Sequence, residues 1–229
     1  ALFGLLLLFF VEETLPLARS GAGDGVVDGG YRRLVQDRPF LAFSAISTLA
    51  IIPSSLIFVL LPVYAKEQYG VLESQYGFIM TTNAAMVVLF QYAITRRTER
   101  FAPVPVLAVG ALFYALGTGS VALGTSFFHF MLSMVILTLG EMLLVPTGTT
   151  LAANLSPPDM RGRYMGFYGL TWRVGVGVGP VVGGFLSDQF GPVTIWYGGL
   201  VAGLLATGAF VVLDRRWRNR VQLDYDSQN

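Results

Sequence analysis

The sequence predicts an all-α membrane protein, a polytopic bundle of six transmembrane helices, from its composition and from six long apolar stretches. Only 13% of the 229 residues are charged and the mean hydropathy is +0.62, whereas about a quarter of the residues of a soluble domain are charged. A helix needs about 20 mostly apolar residues to cross the hydrocarbon core. The six stretches that reach this length are residues 40–64, 75–95, 104–123, 127–151, 164–187 and 194–213. They are too long for strands and lack a period of two.

The chain is expected to consist of four segments, of which the third contains all six spans. Residues 1–11 (ALFGLLLLFFV) have no basic residue before them and no small-residue cleavage site after them, so we expect the end of a preceding transmembrane helix rather than a signal peptide. Residues 12–38 are polar and Gly-rich and are expected to form a cytoplasmic linker. Residues 39–214 then hold the six-helix bundle, and residues 215–229 form a cytoplasmic tail.

The positions of the basic residues predict the orientation of the bundle. With the linker on one side, 13 of the 15 Lys and Arg residues lie on that side, while Lys66 lies on the other and Arg173 lies within a span. Lys and Arg accumulate in the cytoplasmic loops of membrane proteins. We therefore expect a multi-pass protein of the inner (plasma) membrane with both ends of this chain in the cytoplasm.

The composition excludes several classes of function. The chain has no Cys and one His, so thiolate or imidazole metal sites are not expected. The net charge of +1 is not concentrated on a basic face, which argues against a nucleic-acid partner. No nucleophile–base pair or phosphate-binding loop is apparent, and GVGVG lacks the strand–helix context of a dinucleotide site. We expect neither an enzyme nor a cofactor.

The two charges inside the spans, Glu141 and Arg173, are the strongest candidates for function. An ionised side chain at mid-span costs about 2.5–3.5 kcal/mol on insertion scales, so it usually faces a cavity or a partner. Glu141 lies about ten residues before the end of the fourth span and Arg173 about nine residues into the fifth, so both are roughly 14–15 Å deep. Equal depth on consecutive antiparallel helices predicts an ion pair.

The predicted pair has a structural and a functional interpretation. In the structural one, each charge is present to neutralise the other. In the functional one, burial favours the neutral acid and a nearby guanidinium favours the carboxylate, so a conformational change that alters this balance loads and unloads a proton. We predict Glu141 as the proton-coupling group, with Arg173 as its modulator or as a ligand for anionic substrate.

Uncharged polar groups distinguish the spans from one another. The second span carries Asn83 and Gln91, which either bind substrate or bond to a neighbouring helix. The third and sixth spans carry no charge or carboxamide, so we expect these two to face lipid while the others share an interior. Pro53, Pro62 and Pro146 lie within spans and mark either hinges or static kinks.

The fifth span is Gly-rich. Gly175, Gly179 and Gly183 recur every four residues and share one helix face, a spacing that permits close helix–helix packing. Pro180 removes a backbone hydrogen bond and can kink the helix. These residues are expected to serve helix packing and, if the helix moves, gating.

Residues 140–188 resemble the major facilitator superfamily, in particular its drug:proton antiporter-like group. Gly140 and Glu141 match the Gly-Glu pair of the family's tenth helix, Pro146 matches the proline that follows, and RGR at 161–163 matches its basic loop. The fifth span also fits the antiporter signature G-x8-G-x3-G-P-x2-G-G. The matching residues are Gly166, Gly175, Gly179, Pro180, Gly183 and Gly184.

The resemblance implies that the six spans are helices seven to twelve, the second half of the major facilitator fold, and that VEETLP ends helix six. It also implies a secondary active transporter that works by alternating access between two repeat-related halves. We expect proton-coupled export of a small amphipathic or apolar compound. The alternatives are a metabolite or sugar uptake carrier and a non-transporting membrane scaffold or sensor. The expected partners are the substrate, protons, the lipid bilayer and an N-terminal six-helix half.

Overall fold

The computed structural model describes residues 30–226, with the side chains of residues 31–219. The predicted helix end at residues 1–11 and most of the predicted linker lie outside these residues. The described part is helical and contains no strand. Its helices are α1 (Gly30–Gln36), α2 (Arg38–Tyr69), α3 (Glu73–Thr98), α4 (Pro103–Val121), α5 (Phe127–Leu155), α6 (Arg161–Phe190) and α7 (Thr194–Asp226), with a 3-10 turn at Pro158–Met160.

Six long helices account for the six predicted spans. Helices α2, α3, α4, α5 and α7 are long and apolar enough to cross a membrane. Helix α6 has 30 residues, long enough at 1.5 Å per residue, but its glycines and Arg173 lower its hydropathy below that of the others. Most of the helices continue past the predicted spans into polar sequence, because helical hydrogen bonding does not stop where the apolar residues do. Helix α1 lies in the predicted linker, and α7 extends past residue 214 to Asp226.

The ends of α2 show how local sequence sets a helix boundary. The backbone N–H of Phe40 donates to the side chain of Asp37 at 3.1 Å, which satisfies one of the free N–H groups at the helix start. At the other end Gly70 has a φ of +65°, a left-handed conformation that glycine adopts at low cost. Its N–H donates to the carbonyl of Lys66 at 3.0 Å. The chain can therefore reverse within three residues and enter α3.

Helix α4 is buried, which corrects the expectation that this span faces lipid. It packs against α5 and α7, and 67% of its apolar stretch is buried, the largest share among the candidate spans. A Cβ atom on Gly117 would lie 2.7 Å from the backbone nitrogen of Leu137. The small residues of α4 thus permit close backbone contact with its neighbours, and its lack of charged and carboxamide side chains reflects tight packing rather than exposure to lipid.

Helix α3 shows the reverse, since its polar residues do not place it in the interior. Ile79 is the one buried residue of this 26-residue helix in the described structure. Helix α3 packs chiefly along α5, and apolar side chains such as Val88 and Tyr92 are 81% and 75% exposed. The helix therefore presents most of its surface to whatever surrounds the described bundle.

Candidate functional site

Glu141 forms the centre of the candidate site, where α3 and α5 meet. The side-chain amide of Asn83 donates to Glu141 Oε2 at 2.7 Å and to Thr138 Oγ1 at 3.0 Å. Both Asn83 and Glu141 are half-buried. Among residues 31–219, Glu141 has no Lys, Arg or His nitrogen within 4.0 Å. The carboxyl group therefore has a neutral hydrogen-bond donor as its neighbour in place of the predicted cation.

The backbone beside Glu141 packs closely against α4, because the preceding residue is a glycine. A Cβ atom on Gly140 would lie 2.7 Å from the carbonyl oxygen of Gly110 and 2.8 Å from the ring of Tyr114. Close packing of α4 against this part of α5 requires glycine here. Glu141 thus projects toward α3 from a segment whose other side is fixed against α4, which positions the carboxyl group well.

Thr138 completes this hydrogen-bond network and was not singled out from the sequence. Its hydroxyl donates to the carbonyl of Met134 at 2.7 Å and accepts from Asn83, and the residue is fully buried. The sequence spacing could have identified it, because Thr138 precedes Glu141 by three residues and residues at this spacing share a helix face. An asparagine that donates to both of these side chains needs the two acceptors on that face.

Gln91 makes a second polar connection between α3 and α5, two helical turns from Asn83. Its side-chain amide donates to the carbonyl of Met142 at 3.0 Å and to Thr95 Oγ1 at 2.9 Å. Of the two interpretations left open for Asn83 and Gln91, the structure places both residues in bonds to the neighbouring helix. A substrate-binding role for either one stays a prediction.

A cavity begins one turn from Gln91, at Thr95, and extends toward the end of the bundle that carries residues 98 and 103. It has a volume of about 200 Å³ and lies between α3, the start of α4 and α5. Its lining residues are Thr95, Thr98, Glu99, Phe101, Pro103, Pro146, Thr147, Thr150, Leu151 and Asn154. Because Thr95 also accepts from Gln91, polar groups follow the α3–α5 seam from Glu141 to this cavity.

Arg173 does not form the predicted ion pair with Glu141. In the part of the chain whose side chains are described, no carboxylate oxygen lies within 4.0 Å of Arg173, and the residue is exposed. The prediction compared the depths of the two residues in the membrane but did not consider which face of its helix each one occupies. Helix α6 packs mainly against α2 and α7 rather than α5, and Arg173 is on the side of α6 away from these contacts.

The glycines of α6 lie on two different faces. Gly175, Gly179 and Gly183 contact α2: a Cβ on Gly175 would lie 2.8 Å from Ile51, and one on Gly179 would overlap Ser55. A Cβ on Gly166 or Gly184 would meet no atom within 4 Å, and these two glycines share the open face with Arg173. Pro180 lies within α6. The first three are packing residues in this structure, and a gating role stays a prediction.

Comparison with protein families gives a match over most of the chain. Residues 43–224 match the family model described as Major Facilitator Superfamily. This range includes the candidate site and all or nearly all of each of the six long helices, so the match concerns the bundle as a whole.

Several curated proteins are similar to the chain. A "Na(+), Li(+), K(+)/H(+) antiporter" of Planococcus maritimus is 26% identical over 93% of the chain and 54% of its own length. The "Multidrug resistance protein MdtH" of Aeromonas salmonicida is 28% identical over 82% of the chain and 46% of its own length. The "Tetracycline resistance protein, class H" of Pasteurella multocida is 30% identical over 62% and 36%. The chain thus spans about half the length, or less, of these relatives.

A solved structure shares the fold. A POT family transporter crystallised with a thioalcohol-conjugated peptide superposes with a TM-score of 0.69 at 18% identity, over 82% of this chain and 43% of that one. The relatives are transporters rather than enzymes, which agrees with the sequence-based prediction. Together with the family match and the apolar helices, they show that the chain is a multi-pass membrane protein of the Major Facilitator Superfamily.

Proposed function

We propose that the intact protein is a proton-coupled exporter in which Glu141 binds and releases the coupling proton. The observation that supports this proposal is the 2.7 Å hydrogen bond from Asn83 to Glu141, made between two helices with no cation nearby in the described residues. A carboxyl group whose neighbour is neutral can lose its charge without leaving an unpaired cation behind. A structural ion pair has no such freedom.

Asn83 is suited to follow both charge states of Glu141. A carboxylate only accepts hydrogen bonds, whereas a protonated carboxyl group also donates one. The Asn83 amide offers N–H groups to the first and, after a flip, a carbonyl oxygen to the second. The flip moves the N–H groups away from the acceptors they now contact, so protonation changes the bonds that join α3 to α5. A change in these interhelical bonds is a physical route from proton binding to helix movement.

The exposed face of α6 supports the presence of a second half in the intact protein. Arg173 lies near the middle of α6, and an arginine at that depth in lipid costs about 2.5–3.5 kcal/mol on insertion scales. Its neighbours on the open face, Gly177 and Gly184, have free space around them. We therefore assign this face to the junction with an N-terminal half or to the substrate path between the halves, where Arg173 meets water or an anionic group.

The substrate follows from the relatives only as a proposal. Two of them carry the names of drug resistance proteins, which favours a small amphipathic or apolar compound. A second candidate is a monovalent cation, favoured by the antiporter that aligns with 93% of the chain. Both candidates require a proton site and export, and both fit the bundle described above. A cytoplasmic location of both ends of the chain is part of this proposal.

One assay separates these substrates and tests the proton site. Everted membrane vesicles with the intact protein are acidified by respiration, and a pH-sensitive dye reports the gradient after addition of ethidium, tetracycline, NaCl or KCl. We expect one of these classes to release protons from the vesicles, and Glu141→Gln to abolish the response. The matched control is Glu67→Gln, which changes an exposed glutamate at the far end of α2. A full response in Glu141→Gln would refute the assignment of the proton site.

A further inference from the structure

A crevice between the first turn of α2 and residues 213–217 of α7 lies outside the candidate proton site. It has a volume of about 260 Å³, and both helices enter it from the same end of the bundle. The residues that line it are Arg38, Pro39, Ala42, Leu213, Arg216 and Trp217. Two guanidinium groups and an indole are thus combined with small and apolar side chains, a mixture that the proposed transport function does not use.

Among the described side chains, the two arginines of this crevice form no salt bridge. Arg38 and Arg216 have no carboxylate oxygen within 4.0 Å among residues 31–219. The two acidic residues closest in sequence have other partners. Asp37 accepts from the Phe40 N–H and the Tyr164 hydroxyl, and Asp214 pairs with Arg218 at 2.8 Å. Two guanidinium groups without a carboxylate partner among residues 31–219 attract an anion, and guanidinium groups suit the oxygens of a phosphate.

The walls of the crevice continue into apolar surface. Leu213 is 6% exposed and Trp217 packs against the core. One turn from Arg216 toward the bundle centre, Val212 is 48% exposed, and one turn from Arg38 in the same direction Ala42 is exposed. Arginine and tryptophan at the end of an apolar span, with exposed aliphatic groups below them, match the boundary between headgroups and hydrocarbon.

We propose that this crevice binds the phosphodiester headgroup of an anionic phospholipid, with Arg38 and Arg216 as its ligands. An acyl chain then lies along the exposed Ala42 and Val212 surface. A soluble phosphate uses the two arginines but leaves the apolar wall uncovered, so the lipid accounts for more of the site. Basic pockets between transmembrane helices are a known setting for such headgroups. This inference is independent of whether Glu141 carries a proton.

Trp217 supplies a spectroscopic probe of the crevice. The intact protein is reconstituted in bilayers that contain brominated phosphatidylglycerol or brominated phosphatidylcholine, and the fluorescence component that disappears in Trp217→Phe is compared between them. We expect quenching at Trp217 to favour phosphatidylglycerol. Arg38→Gln and Arg216→Gln should each lower this preference about five-fold, the effect expected for one basic residue near an anionic surface, and the double variant should abolish it.

Two controls define the outcomes. Arg161→Gln changes an exposed arginine at the start of α6 and should leave the preference for phosphatidylglycerol unchanged. Unchanged circular dichroism and elution of each variant show that it folds. The proposal is overturned if the parent shows no preference, if the double variant keeps it, or if glycerol phosphate in solution relieves the quenching at lipid-equivalent concentration. That last result would assign the crevice to a soluble anion.

Discussion

Asn83 on α3 and Glu141 on α5 share a hydrogen bond of 2.7 Å, and this contact joins the least buried helix of the bundle to the helix that carries its half-buried carboxyl group. Helix α3 has few other attachments, since Ile79 is its one buried residue in the described structure. The charge state of Glu141 is therefore connected to the position of α3 through a small number of bonds.

Removal of the Asn83 amide should weaken both folding and transport. In Asn83→Leu, Glu141 and the fully buried Thr138 lose their shared donor, and an unsatisfied buried polar group costs about 1–3 kcal/mol. We expect a lower melting temperature in detergent and a loss of proton-driven transport. Thr138→Val keeps the hydrogen bond between Asn83 and Glu141, so it should lower the melting temperature and the transport rate less than Asn83→Leu does. Equal transport by Asn83→Leu and the parent would rule out a role for this contact.

The environment of Arg173 can be measured by thiol chemistry, because the chain contains no cysteine. Maleimides react with the thiolate, which forms in water and not in hydrocarbon. In membranes with the intact protein, we expect Arg173→Cys to react with a water-soluble maleimide. Val201→Cys, at a 54% exposed position of the apolar α7, should stay unlabelled, and the unsubstituted protein gives the background. If position 173 resists labelling as position 201 does, the open face of α6 borders neither a water-filled path nor a hydrated junction.

Close packing between α4 and α7 gives a matched pair of glycine substitutions on one helix. A Cβ on Gly203 would lie 2.6 Å from the Cβ of Ala115, whereas one on Gly208 would meet nothing within 4 Å. Overpacking typically costs about 1–3 kcal/mol, while alanine in an open helix position is favoured over glycine by up to about 1 kcal/mol. Thermal unfolding should therefore show Gly203→Ala below the parent and Gly208→Ala at or above it. The opposite order would contradict the packing of α7 on α4.

The sequence was sufficient to predict the helices but not to predict which helices pack against one another. Six apolar runs predict six long helices because length and composition decide which segments cross a membrane. Burial was harder to predict, since an apolar span without charged or carboxamide side chains is equally suited to lipid and to a close-packed interior. The glycines of α4, such as Gly117 against Leu137, favour the interior, and that signal was present in the sequence.

The error at Arg173 has a geometric cause. Residues two apart on a helix point about 200° away from each other, so Arg173 cannot share the face of Gly175, which packs on α2. The glycine stripe predicted from the sequence therefore already placed Arg173 on the other side of α6. Depth alone offered Arg173 as a partner for Glu141 and could not identify Asn83. The choice required knowledge of which helix lies beside α5, and this depends on the packing of the whole bundle.

The central claim, that Glu141 is the proton-coupling group, is tested most directly by two measurements on Glu141→Gln in proteoliposomes. One is exchange of labelled substrate across the membrane without a pH gradient, and the other is uphill transport driven by a pH gradient. The substrate is the compound identified by the vesicle assay. Because glutamine keeps the size of the side chain and one acceptor oxygen for Asn83 but binds no proton, we predict that exchange persists while uphill transport stops. Uphill transport at the parental rate, with the same dependence on the pH gradient, would contradict the account.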